Sequence, residues 1–203
     1  MYRFPKEPRK IRERIRRYER TMRKEFKEYG GISDGYGKRY LLGPLYLLLD
    51  DVDGAIGSFE WFEQTFPDDI GEPVHYLCWA LALYRSGDLA KAMLKLRQAM
   101  LSNLYLIPRL LGIAQDKLDI AQDELDFGYY FNLFQKEDVE YMPPEIWALW
   151  DEAALQWAEE TYYSPGFQQV RDRFIEIQEQ LKSEPRGPKR SELVDEAFRL
   201  QGW

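Results

Sequence analysis

The chain has 203 residues, 45% hydrophobic and 31% charged, and with six Trp it can build a sizeable core as one large domain or one domain with arms. Its single cysteine, Cys78, excludes an internal disulfide, and its longest apolar run, Leu41 to Leu49, is interrupted by Gly43-Pro44 and falls far short of the roughly 20 residues that span a bilayer. The net charge of −7 divides unevenly, with twelve Lys/Arg against five Glu in residues 1–30 and sixteen bases against thirty acids in the rest, so the bulk of the chain repels polyanions while its first segment does not.

In chain order, Ile11, Ile15, Tyr18, Met22, Phe26 and Tyr29 recur at spacings of three and four, which predicts a helix over 5–29 with one apolar face. Arg9, Arg12, Arg16, Arg20, Arg23 and Lys27 occupy its other surface, and Gly30-Gly31 ends it before a hinge from Ile32 to Gly37. Residues 1–35 therefore read as a basic amphipathic arm. Four helices follow, over 38–49, 53–66, 73–86 and 89–103, and the segment 104–113 is suited to cover the end of the fourth. Residues 114–142 are irregular and acidic, although Phe127, Tyr129, Tyr130, Phe131, Leu133 and Phe134 argue for packing. Pro143-Pro144 opens a heavily apolar helix through Ala158, which Ser164-Pro165-Gly166 breaks. Phe167, Val170, Phe174, Ile177 and Leu181 then mark an amphipathic helix, and after a linker at 185–188 a short helix closes the chain over 191–201. No segment alternates with period two, so the fold class expected is all-α, with no sheet.

Residues 36–105 contain the same pattern twice, 37 positions apart. Arg39, Leu42, Gly43, Tyr46, Ala55, Phe59 and Pro67 recur as Tyr76, Trp79, Ala80, Leu83, Ala92, Leu96 and Leu104. The first set reads R-x2-L-G-x2-Y, then A-x3-F, then P, which resembles the tetratricopeptide repeat, a helix–turn–helix unit. Small residues at Gly43, Ala80, Ala55 and Ala92 let helices approach, and bulky ones beside them fill the space. The resemblance implies a stack of two TPR-like repeats, with residues 106–203 as a helical extension capping it.

That resemblance also implies a function: holding a protein or peptide partner, without catalysis. In tetratricopeptide proteins the first helix of each repeat lines a concave groove, which here corresponds to Tyr40, Pro44, Leu47 and Leu48, then Leu77, Leu81, Tyr84 and Arg85. Members that clamp a peptide carboxylate carry Lys, Arg and Asn at inner positions now held by Tyr40, Pro44, Leu77 and Leu81, so the clamp subtype does not fit. An apolar groove either receives an amphipathic helix or is filled by the chain's own helices, and two repeats with several amphipathic helices to spare favour the second.

Other chemistry has weaker support. His75 and Cys78 lie three apart on one helix, but no spacing signature supplies the further ligands of a zinc site. Asp51, Asp53, Gly54, Ile56 and Glu60 partly match a calcium loop, yet Leu49 stands at its first ligand position and the repeat claims the same residues for a helix. The glycines at 30, 31, 35 and 37 fit no phosphate-binding template. A Ser–His–Asp arrangement would have to use His75, inside a repeat helix. The basic arm reads by default as a solvated face over a packing stripe; it could also lie on the acidic 110–166 region of its own or another copy, bind nucleic acid, or touch an anionic surface. The expectation is a cytoplasmic, non-catalytic interaction scaffold that can self-associate, with no catalytic, cofactor or metal site and no membrane span; the alternative is nucleic-acid or anionic-surface binding through the basic arm, and an unrecognised enzyme working through its many carboxylates ranks third.

Overall fold

The computed structural model describes residues 4–34, 37–69, 71–118, 120, 139 and 142–202, and among them the chain forms ten α-helices and no strand. The first, α1 (Pro8–Tyr29), starts on a proline whose missing N–H is no loss in a first turn, and stops at Gly30 in the left-handed region (φ 69°). The Asp34 carboxylate accepts the Arg39 N–H at 2.7 Å and so caps α2 (Lys38–Leu47). Next come α3 (Val52–Thr65), α4 (Pro73–Ser86), α5 (Leu89–Ser102) and the short α6 (Leu106–Leu110). The aromatic stretch from Phe127 to Phe134 lies outside the described residues.

The apolar run after Pro143 is not one helix. It divides into α7 (Pro144–Trp147) and α8 (Glu152–Tyr162), because the Asp151 carboxylate accepts the Ala154 N–H at 2.9 Å and starts a new N-terminus. Ile146, Trp150, Ala154 and Ala158 are buried, whereas Ala148 and Ala153 are exposed. The chain ends with α9 (Pro165–Leu181) and α10 (Pro188–Gln201), joined by a two-pronged ion pair from Arg173 to Glu196, both contacts at 2.7 Å.

Two helical hairpins, α2/α3 and α4/α5, form the centre, and short connections make the partners antiparallel neighbours. Their detail repeats at the 37-residue spacing. The turn residues Asp50 (φ 59°) and Gly87 (φ 86°) are both left-handed. The residues after them, Asp51 and Asp88, cap α3 and α5 by accepting the N–H of Gly54 (2.8 Å) and Lys91 (3.2 Å). Ala55 and Ala92, Phe59 and Leu96, all fully buried, occupy matching places. The hairpins meet where α2 and α3 contact α4; α1 packs on α2, and α9 and α10 lie on α5 at the other end. None of the helices among the described residues is long and apolar enough to cross a membrane.

A cleft between the first and third helices

The residues assigned to a concave groove are largely closed to a partner. Leu77 and Leu81 have no exposed surface, and Leu47 and Pro44 are buried in the core of the chain. Their neighbours are engaged by the chain itself. Tyr84 stacks on Trp157 of α8 with ring centres 4.8 Å apart, and Arg85 donates to the Leu149 carbonyl at 2.6 Å while facing Asp50 at 3.4 Å. Tyr40 is half-buried; its hydroxyl donates to Asp69 at 2.7 Å and accepts from Arg39, whose guanidinium also reaches Asp69 at 2.7 Å. Leu48 packs half-buried against the core. Replacing Tyr84 and Arg85 together by alanine removes an aromatic stack and a charge-assisted hydrogen bond, about 2–4 kcal/mol between them. The expected result is faster amide hydrogen exchange across 144–162; unchanged protection there would show that these contacts do not hold the segment down.

An opening in the surface of the described residues lies between α1 and α3 with α2 as its floor. Two contacts set the register of α1 along α2: Tyr46 donates to Glu19 at 2.6 Å, and Lys38 approaches Glu25 at 3.8 Å. Burial and the Glu19 carboxylate both raise the pKa of the Tyr46 hydroxyl, which keeps it a neutral donor. With that register α1, 22 residues long, overhangs the 10-residue α2, and Phe26 and Tyr29 remain 56% and 78% exposed. The resulting cleft has a volume of about 510 Å³. Met22, Phe26, Ile32, Leu42 and Trp61 make it apolar; Glu19 and Arg23 stand on one side, and Gly54, Gly57 and Ser58 on the other.

The glycines of α3 have different tasks. A Cβ on Gly54 would lie 2.6 Å from the Tyr46 ring and 2.7 Å from the Asp51 cap, whereas a Cβ on Gly57 meets nothing within 4 Å. Gly57→Ala should therefore raise stability by about 0.5–1 kcal/mol through helix propensity alone. Gly54→Ala should lower it by about 1–3 kcal/mol through overpacking. Chemical denaturation of the two variants checks the opposite signs, and a shared sign would refute the packing described for this wall.

Of the cationic residues of α1, Arg23 lines the cleft, beside Glu19. At 100° per residue, Arg12, Arg16, Arg23 and Lys27 fall on the strip next to the Glu19–Met22–Phe26 strip, on the side away from the buried Ile11 and Ile15. Arg9 pairs with Glu13 at 2.9 Å and Arg23 with Glu19 at 3.8 Å. Arg12, Arg16, Arg20 and Lys27 are exposed and make no ion pair among the described residues.

His75 and Cys78 are interior groups. Burial pushes the Cys78 thiol up to about 12, far from a reactive thiolate. The His75 ring sits among Tyr40, Phe59, Phe62, Tyr76 and Trp79, with its Nδ1 3.5 Å from the Tyr40 carbonyl. Pro44 has no N–H to give that carbonyl four residues before it, so the histidine is the group left to answer it. Lys95 is buried too, its ammonium 3.6 Å from the Trp79 ring centre and 2.9 Å from Glu63; burial lowers its pKa and Glu63 opposes the shift. Asp51, part of the partial calcium pattern, is occupied in capping α3. Among the described residues no three His, Cys, Asp or Glu gather as a metal site would require.

The sequence reading did not identify the cleft. Two signals for it were present: an apolar stripe on α1 running past the length of α2, and Gly54, Gly57 and Ser58 leaving one face of α3 without bulk up to Trp61. No protein-family model, curated protein or solved structure matches this chain.

Proposed function

We propose that this protein is a non-catalytic protein–protein interaction scaffold of the tetratricopeptide type, and that its partner docks at the cleft between α1 and α3. The small-and-bulky interlock, the Asp caps and the left-handed turns recurring 37 residues apart support the repeat kinship. The single observation that carries the binding role is the 510 Å³ apolar cleft with Phe26 left exposed on its edge. Its volume lies in the range of built recognition sites, and on the surface the repeat would otherwise offer Tyr84 and Arg85 are engaged by Trp157 and Leu149 of the same chain. A photo-crosslinking residue in place of Phe26 tests this in intact cells: a discrete protein adduct is expected there and not from the same residue in place of Glu145 on α7. No protein adduct at position 26 refutes the scaffold role.

A second reading has one specific observation behind it: the unpaired Arg12, Arg16, Arg20 and Lys27 along one helix could contact phosphates. The −14 balance of residues 31–203 opposes it. Titration with a labelled RNA oligonucleotide at rising salt decides the matter, and absence of binding at low salt ends this alternative.

A further inference from the structure

We infer that the cleft receives an acidic amphipathic helix, one large apolar side chain of which enters beside Gly57. The inference rests on the scaffold reading and adds the chemistry of the partner. The walls and the floor are helices that satisfy their own backbone groups, and no strand edge occurs among the described residues. An extended peptide would leave its N–H and C=O groups unpaired here, whereas a helix brings its own hydrogen bonds. The floor made by Met22, Leu42 and Trp61 calls for an apolar stripe on the incoming element.

Charge sets the rest. Arg12, Arg16, Arg23 and Lys27 share one strip of α1 that passes the cleft, four cations against the single Glu19 of the wall, and among the described residues only Arg23 of the four makes an ion pair, with Glu19 at 3.8 Å. The α3 lip carries Asp53 and Glu60, and the positive field of Lys91 already faces Glu60. The cleft is therefore positive along α1 and weakly negative to neutral along α3. A helix with Asp and Glu on one flank fits it in one orientation, with its acids toward α1 at short range. The two glycines give the wall opposite the arginines no side chains, and Gly57 in particular has empty space around it, which is where an anchoring side chain fits.

The test uses the full chain and a pair of helical peptides of about 15 residues. Each carries Phe and Leu four residues apart on one face; one has Glu along the flank and its twin has Lys. Binding is read by fluorescence polarisation. The Glu peptide is expected to bind, with affinity falling as salt rises, and the Lys twin to bind at least about tenfold more weakly. Gly57→Phe fills the space from within and should lose about thirtyfold in affinity with its thermal midpoint retained. Phe26→Asp, at an exposed position that cannot unfold the core, should lose binding likewise. Failure of the Glu peptide to bind, equal binding of the twins, or full binding by either variant overturns the inference. So does a mass that doubles in light scattering and falls to one copy in Gly57→Phe, which would assign the cleft to a second copy. If position 26 crosslinks to a protein in cells while the Glu peptide fails, the scaffold reading stands and the acidic helix falls; if neither is seen, both fall.

Discussion

Gly43→Ala is expected to lower the unfolding free energy by about 3 kcal/mol or more. The added methyl would lie 2.2 Å from two carbons of the Phe59 ring, and that ring has nowhere to move. It is fully buried, stacked on Trp79 at 5.2 Å and 8°, and meets the edge of His75 at 4.9 Å. The second hairpin shows how a methyl at this place is accommodated: the equivalent positions hold Ala80 and Leu96, both fully buried. A larger residue on α4 goes with a smaller one on α5. Phe59→Leu alone should cost about 1–3 kcal/mol in lost stacking and packing. Combined with Gly43→Ala it recreates the Ala–Leu pair of the second hairpin, and the double variant should be more stable than the sum of the two by about 1–2 kcal/mol. Urea denaturation of the four chains in a double-mutant cycle measures this. Additivity within about 0.5 kcal/mol would mean that the two side chains do not share one space.

Acidification should weaken the fold through His75. Burial is the main cause that holds its pKa down to about 3, with Lys95 adding to the effect and the Tyr40 carbonyl opposing it. An ordinary histidine titrates near 6.5. Between those values the unfolded chain takes up a proton that the folded chain refuses. The contribution of the neutral ring is therefore intact above about pH 6.5 and declines as pH falls, by about 1.4 kcal/mol per unit, until the folded pKa is reached. His75→Phe keeps an aromatic ring in the same box but cannot titrate. It should cost stability at pH 7, where the Tyr40 carbonyl loses its partner, and the gap between the two chains should shrink or reverse by about 2–3 kcal/mol on going to pH 4.5. Denaturant midpoints at matched pH values give that gap directly, and a gap independent of pH would contradict the buried neutral ring.

Much of the fold was readable before any coordinates, for reasons local to the chain. Helix periodicity, Pro73 at a helix start and Gly30 at a helix end act within a few residues, so the pattern reveals them, whereas Pro188, read as part of a linker, opens the last helix. The break at Asp151 was missed because its aspartate sits inside a run whose apolar spacing continues on both sides; a side-chain acceptor outweighed periodicity there. Periodicity reports which face of a helix is apolar and is silent about what covers it. Whether the groove was open or filled by the chain itself was therefore a tertiary question, and Trp157 and Leu149 engage Tyr84 and Arg85 beside it.

The linear pattern by itself determined that this is a helical protein with the same small-and-bulky pattern 37 residues apart and with a cationic first helix. The tertiary structure alone decided which surfaces remain open. Gly43, Gly54 and Gly57 are the same residue within 15 positions, yet one makes room for Phe59, one for Tyr46, and one faces empty space. Nothing in their own segments distinguishes them. The difference comes from side chains brought in from other helices, and close packing depends on what is near in space, wherever it stands in the chain.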